Sequence, residues 1–183
     1  MQYAIPHRDM IGDDSIINVV TAGDYVTISD YARLHEREKV ATLADVKRIE
    51  KKTFPRSEIF DFDSECKKAN TKLIVAMSSD NATSSRPQVL GYLVVLRTKR
   101  TALLHKICVD EKCRGAGVGK RLLGHMINDL NCSACDRVQL WVDDDRFIAQ
   151  GLYLSMGFRK IDSVADYYGP GRDASKMALR LAD

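Results

Sequence analysis

Val109-Asp-Glu-Lys-Cys-Arg114-Gly115-Ala116-Gly117-Val118-Gly119-Lys120 sets three alternating glycines among basic residues, between an apolar strand pattern and an amphipathic helix pattern. Glycines let the backbone approach a ligand closely, and the N–H groups at a helix start carry about half a positive charge. Arg114, Lys120 and Arg121 add full charges. Such a turn suits a pyrophosphate. A P-loop needs G-x-x-x-x-G-K-S/T. Here Gly115 and Gly119 stand one residue too close, and Arg121 occupies the place of the magnesium-binding hydroxyl. The dinucleotide fingerprint G-x-G-x-x-G fails too, because the run is G-x-G-x-G. A glycine turn that holds no ligand is the plain alternative.

His105 lies on the strand pattern just before this turn, and an unperturbed imidazole has a pKa of about 6.5. It is either a base or a histidine that packs or caps. The five cysteines, with no secretory leader pattern in MQYAIPHRDMIGDD, point to free thiols in a reducing compartment, cytoplasmic or nuclear. Cys132-Ser-Ala-Cys135 has the spacing of half a zinc site, but a full site needs two more ligands and no second pair exists. No metal is expected. Asn81-Ala82-Thr83 is a glycosylation sequon that a non-secreted chain would not use. A net charge of +3 is too small to argue for nucleic acid, and no apolar run reaches the length of a membrane span.

The elements around these residues fit one domain. Residues 1–40 read as an amino-terminal extension of uncertain structure, with possible strands at Ile16, Ile17, Val19 and Val20 and at Tyr25, Val26 and Ile28. Residues 41–183 form the domain proper. Thr42-x-x-Asp45 looks like a helix N-cap, Val46, Ile49 and Phe54 follow at near-helical spacing, and Pro55 ends the helix. A short helix is expected near Glu65-Cys66-Lys67-Lys68. Residues 72–77, 88–97 and 101–109 read as a meander of three antiparallel strands, with a polar turn over 80–87. Val118, Leu122, Met126 and Leu130 lie four apart on the next helix, widened by Leu123 and Ile127. Arg137–Val142 is a strand. Ile148, Leu152 and Met156 mark a helix that Gly157 ends, and 158–161 and 176–181 close the chain as paired strands. The fold class is α/β, a mixed, mostly antiparallel sheet with helices on both faces.

Arg114, Gly117 and Gly119 meet the pattern R/Q-x-x-G-x-G/A, which resembles the cofactor motif of the GNAT acetyltransferases. Ala149-Gln-Gly-Leu152-Tyr153-Leu-Ser-Met-Gly157-Phe158 resembles the A-x-x-L-Y-x-x-x-G-F segment that follows it in that superfamily, and Gly91 and Val109-Asp110 agree. The likeness covers residues 42–182. It implies the GNAT fold, acetyl-CoA as cosubstrate, and a cofactor site at Ile107, Cys108, Val109, Arg114, Gly115, Ala116, Gly117, Val118, Gly119 and Lys120. Phe54-Pro55-x-Ser57-Glu58, Tyr167-Tyr168 and Arg172-Asp173-Ala174-x-x-Met177 resemble the N-terminal protein acetyltransferase branch, including the ribosomal-protein enzymes. There the first two fragments line a peptide groove, which makes Phe54, Pro55, Tyr167 and Tyr168 candidate acceptor contacts. Packed rim residues are the alternative for the tyrosines.

Two positions depart from that branch. Trp141 stands where its Glu or His base is expected, and Arg146 where a cofactor-contacting Asn is expected. His105 instead matches a histidine of the arylalkylamine acetyltransferases. The resemblance implies direct attack of an amine on the thioester, with His105 or a water relay as base. A backbone N–H near Ile107 would meet the oxyanion, and Tyr153 would protonate the leaving thiolate. The expected acceptor is a peptide or protein N-terminus. A small arylalkylamine or polyamine, or a non-catalytic acetyl-CoA-binding regulator, is the alternative. No nucleic-acid or membrane partner is expected, and the chain is a monomer or homodimer.

Overall fold

The computed structural model describes residues 26–78 and 86–181. Residues 16–20, the sequon and most of the 80–87 turn lie outside the described residues. Seven strands form one sheet in the order β1-β2-β3-β4-β5-β7-β6. β1 (Val26–Asp30), β2 (Thr71–Ser78), β3 (Val89–Thr98) and β4 (Thr101–Val109) pair antiparallel in turn. β5 (Arg137–Asp143) lies parallel to β4, after a crossover through α3 (Val118–Asn131). β7 (Ala174–Arg180) pairs with β5 and with the edge strand β6 (Arg159–Val164).

The sheet is covered on both faces, so its central strands read as nearly continuous apolar runs. Leu93 and Val95 of β3 point into one core with α3 residues Leu122, Leu123 and Met126. Tyr92 and Val94 point into the other with Val46 and Ile49 of α1 (Glu36–Thr53) and Phe62 of α2 (Phe62–Glu65). The buried stripe of α3 is the one its sequence spacing predicts. α4 (Phe147–Ser155) lies on the α3 face, and Gly157 follows it at φ +89°, the left-handed geometry a helix stop favours.

Several expectations need correction. α1 starts at Glu36, not at Thr42. His35 caps it by accepting from the Arg37 N–H at 3.4 Å, and Glu38 reaches back to the His35 N–H at 3.2 Å. Thr42 sits buried within the helix. The first turns are charged and carry no apolar stripe, so periodicity alone does not reveal them. β1 joins the sheet, and the boundary expected at residue 41 falls inside α1. The short second helix ends at Glu65 instead of running through Lys68.

The most consequential difference is in β4. Val94 pairs with Lys106 and Val95 with Leu104, so His105 is the extra residue of a β-bulge. A regular strand would place His105 on a face with Leu103 and Ile107. The bulge resets the alternation. Leu104, Ile107 and Val109 pack toward the α3 core, while Cys108 packs toward α1.

Candidate active site

β4 and β5 pair only through Thr101–Leu103 and Arg137–Gln139. Beyond that the strands part, and among the described residues the β5-facing edge of β4 has no strand partner there. A cavity of about 640 Å³ occupies the opening, with Leu104, His105, Lys106 and Ile107 on one side and Trp141, Val142 and Asp143 on the other. The segment Phe54–Asp61, Tyr153 of α4 and the Tyr167, Tyr168 and Arg172 loop complete it. The parted strands therefore make both the cavity and a row of exposed peptide groups suited to an amide-bearing chain.

At the far end of β4, the glycine turn leads into α3. Gly117 adopts φ +78° at the helix N-cap, and Gly115 has φ +77°. A Cβ built on either would meet nothing within 4 Å. The cradle is open, and its left-handed backbone, not crowding, calls for glycine. Gly119 differs: its Cβ would come within 3.0 Å of a Leu152 methyl, so this glycine lets α3 and α4 approach. Gly91 faces Val109 across the ladder, and a Cβ there would lie 2.7 Å from the Cys108 carbonyl oxygen. Arg114 and Lys120 are exposed, with the Arg114 Nε donating to the Val109 carbonyl at 3.3 Å. Val118 is buried in the core, and the Cys108 thiol turns away toward Thr53 at 3.3 Å. Only the backbone of these two is placed to meet a ligand. This open turn, the parted β4 edge and the α3 N-terminus together fit a pyrophosphate joined to an amide-bearing arm.

Tyr153 is 6% exposed, and its burial pushes the phenol well above its ordinary range, so it stays protonated. His105 lines the same cavity, 5.2 Å ring to ring from Phe60. Its side chain stays open to solvent, but partial desolvation, and then the Lys106 ammonium, hold its pKa below the usual histidine value, so the neutral form predominates at pH 7. Trp141 stacks on Tyr167 at 4.8 Å, and Tyr167 meets Tyr168 edge-on at 4.9 Å. Burial pushes the Tyr168 phenol up to about 12. Of the sequence candidates, Tyr153, His105, Ile107, Phe54, Tyr167 and Tyr168 share the cavity. Pro55 and the residues from Cys108 to Lys120 do not line it.

Sequence reasoning passed over the ionic groups beneath the cavity. Glu50 on α1 is fully buried and pairs with Lys106 at 2.7 Å. It accepts from the Phe60 N–H at 2.9 Å and from the Tyr92 hydroxyl. Lys106 also donates to the Glu58 carbonyl and sits 3.7 Å from the Phe54 ring centre. One signal was available: Val46, Ile49, Glu50 and Thr53 fall on one helical face, which places a carboxylate in a buried stripe. On β5, Asp143 is buried and takes both Nε and Nη2 of Arg172, at 2.9 and 2.6 Å. Burial opposes its ionisation, but the Asp145 N–H and the Arg172 fork outweigh this and hold the carboxyl below its ordinary value.

The model of the Acetyltransferase (GNAT) family matches residues 38–158. An uncharacterized protein of Mycobacterium leprae is 33% identical over 128 residues, 66% of this chain but only 35% of that protein's length. The ribosomal protein bS18-alanine N-acetyltransferase of Haemophilus ducreyi is 29% identical over 102 residues, covering 54% of this chain and 70% of the relative. Among solved structures, the ribosomal-protein-S18-alanine N-acetyltransferase from Escherichia coli shares the fold at a TM-score of 0.67 and 22% identity, over 86% of this chain and 95% of that one. With the seven-stranded sheet, its parted central strands and the glycine turn at the head of α3, the family match shows that this chain belongs to the GNAT acetyltransferase family.

Proposed function

We propose that this protein transfers an acetyl group from acetyl-CoA to a primary amine, and that the amine is a peptide or protein N-terminus. The observation that carries the reading is the cavity between parted β4 and β5. It places a protonated tyrosine and a neutral histidine beside the strand that leads to the open glycine turn.

The cosubstrate supplies a thioester. The glycine turn and the N-terminus of α3 hold its pyrophosphate, with Arg114 and Lys120 adding charge. The free edge of β4 takes its amide-bearing arm and offers an N–H near Ile107 to the thioester oxygen. His105, or a water beside it, takes a proton from the attacking ammonium. As the new C–N bond forms and the C–S bond breaks, Tyr153 gives its proton to the departing sulfur, and the second proton that the nitrogen sheds passes through water to restore the phenol. Burial raises the thiols of Cys66, to about 11, and of Cys108 and Cys113, so none is a ready nucleophile and attack is direct. Phe54, Trp141, Tyr167 and Tyr168 form aromatic walls suited to a peptide backbone. The N-terminal acetyltransferase named among the relatives supports the same acceptor class. Five free thiols favour a reducing compartment, the cytoplasm or nucleus, and no helix among the described residues is long and apolar enough to cross a membrane.

The test is a panel of peptides with free N-termini, lysine-bearing peptides with blocked N-termini, polyamines and arylalkylamines. Each is incubated with acetyl-CoA, with thiol release followed and products identified by mass. Acetylation confined to free peptide N-termini is expected. Preference for a polyamine or arylalkylamine would replace the acceptor class, and cofactor binding without turnover on any amine would favour a regulator.

A further inference from the structure

The strands that part to open the cavity are rejoined by side chains. On β4, the Lys106 ammonium is held by buried Glu50 at 2.7 Å and donates to the backbone carbonyl of Glu58. The Glu58 carboxylate then takes Arg172 Nη1 at 3.1 Å, with Arg146 Nη2 at 3.9 Å. Arg172 continues to Asp143 on β5 through two bonds and also donates to the Tyr168 carbonyl at 3.4 Å. The chain of contacts thus runs from β4 through the Phe54–Asp61 segment and the β6–β7 loop to β5.

It spans the place where the ladder hydrogen bonds stop. Lys106, Glu58, Arg172 and Asp143 all line the cavity. The Glu58–Arg172 pair joins the two loops directly, and Glu58 also meets Arg146. Its carboxylate is shared between two guanidinium groups, which makes it a good tether.

We propose that Glu58 is the keystone of an ionic arch that bridges the parted strands and, by fixing the Phe54–Asp61 segment against the Tyr167–Tyr168 loop, acts as a positioning residue for the acceptor. The positioning role rests on the acetyltransferase reading above; the arch itself does not. The arch holds two loops that carry no ladder of their own at one separation. A peptide backbone between the aromatic walls then meets the walls already in place, and the ordering cost of binding is reduced.

Two readouts test this. The first needs no turnover: amide hydrogen exchange over 54–60 and 166–172 in the wild-type chain, Glu58→Gln, Arg172→Lys and the double variant. Glu58→Gln keeps the carbonyl that Lys106 uses, and Arg172→Lys keeps a cation beside buried Asp143, so neither variant leaves Lys106 or Asp143 without a partner. Each is expected to speed exchange in both loops, including the loop that does not carry the change. Unchanged exchange in the partner loop would overturn the arch.

The second is the acceptor KM with peptide, beside acetyl-CoA affinity by calorimetry. Each single variant should raise the acceptor KM about tenfold, within the range for coupled neighbours, with kcat changed less and cofactor affinity kept. The double variant should be no worse than the weaker single, because the arch is broken only once. Multiplying effects would mean that Glu58 touches the acceptor on its own account, and an unmoved KM in Glu58→Gln would remove it from positioning. A wild-type protein that acetylates no amine would defeat the acetyltransferase reading and leave the arch to the exchange result.

Discussion

Tyr153 and His105 reach one cavity from α4 and from the β4 bulge, and desolvation, full for the buried phenol and partial for the more open imidazole, acts on both against the charged form. For the phenol this keeps the proton on; for the imidazole it keeps the proton off. In the proposed mechanism this suits the phenol to act as the acid and the imidazole as the base. Tyr153→Phe removes the hydroxyl proposed as proton donor and keeps the ring against Phe158. Turnover is expected to fall by roughly a hundredfold or more with acetyl-CoA affinity little changed, which single-turnover assays and calorimetry would show; wild-type turnover would reduce Tyr153 to packing. For His105 the sign follows from a lowered pKa. The neutral form persists down to a pH below the ordinary histidine value, so the acidic limb of kcat/KM should lie there, with rates falling as pH drops through it. His105→Gln should flatten that limb. If the limb persists with only its height altered, a water relay carries the proton. Trp141, at the position where the related branch has a base, has no proton-accepting atom and instead forms part of the aromatic wall with Tyr167.

The glycine turn and the head of α3 work as a unit. Gly115 and Gly117 are left-handed and open, so a side chain there costs backbone strain and occupies the space proposed for a phosphate. Gly117→Glu adds a negative charge as well. Acetyl-CoA affinity should fall beyond detection by calorimetric titration while thermal unfolding shows a folded protein. Unchanged affinity would move the cofactor site away from this turn. β4 is the second element on which the proposed function depends. Its bulge frees His105 from strand alternation and sends Lys106 and Cys108 toward α1, which ties the strand that lines the cavity to the segment forming the opposite wall.

For the molecule as a whole, the cavity is a cleft between two parted strands of one sheet, closed by loops from distant parts of the chain. Phe54 comes from the end of α1 and Tyr167 and Tyr168 from the β6–β7 connection, while Arg146 and Lys106 both approach the Phe54 ring, at 5.1 and 3.7 Å. An acceptor held along such walls gains from residues beyond its reacting amine. Truncating a good peptide substrate to its first residue should therefore lower kcat as well as raise KM, because remote binding energy helps orient the amine. Steady-state kinetics on a length series would show it. Equal rates on a small arylalkylamine and a full peptide would overturn the peptide preference and leave acetyl transfer standing.

The chain's own residues determined the order of elements from the first meander to the closing strand pair, the buried stripe of α3, the stop at Gly157 and the glycine turn. Each is a local signal: a period, a cap, or a backbone angle that glycine alone takes easily. The start of α1 was not legible because its first turns are charged all round. Tertiary structure alone decided the rest. A bulge has no local sequence mark, so the side on which His105 and Lys106 lie depends on pairing with β3. Glu50 joins Lys106, and Glu58 joins Arg172, across separations of 56 and 114 residues. Such pairs form only where folding removes water and brings opposite charges together, which no window of sequence contains.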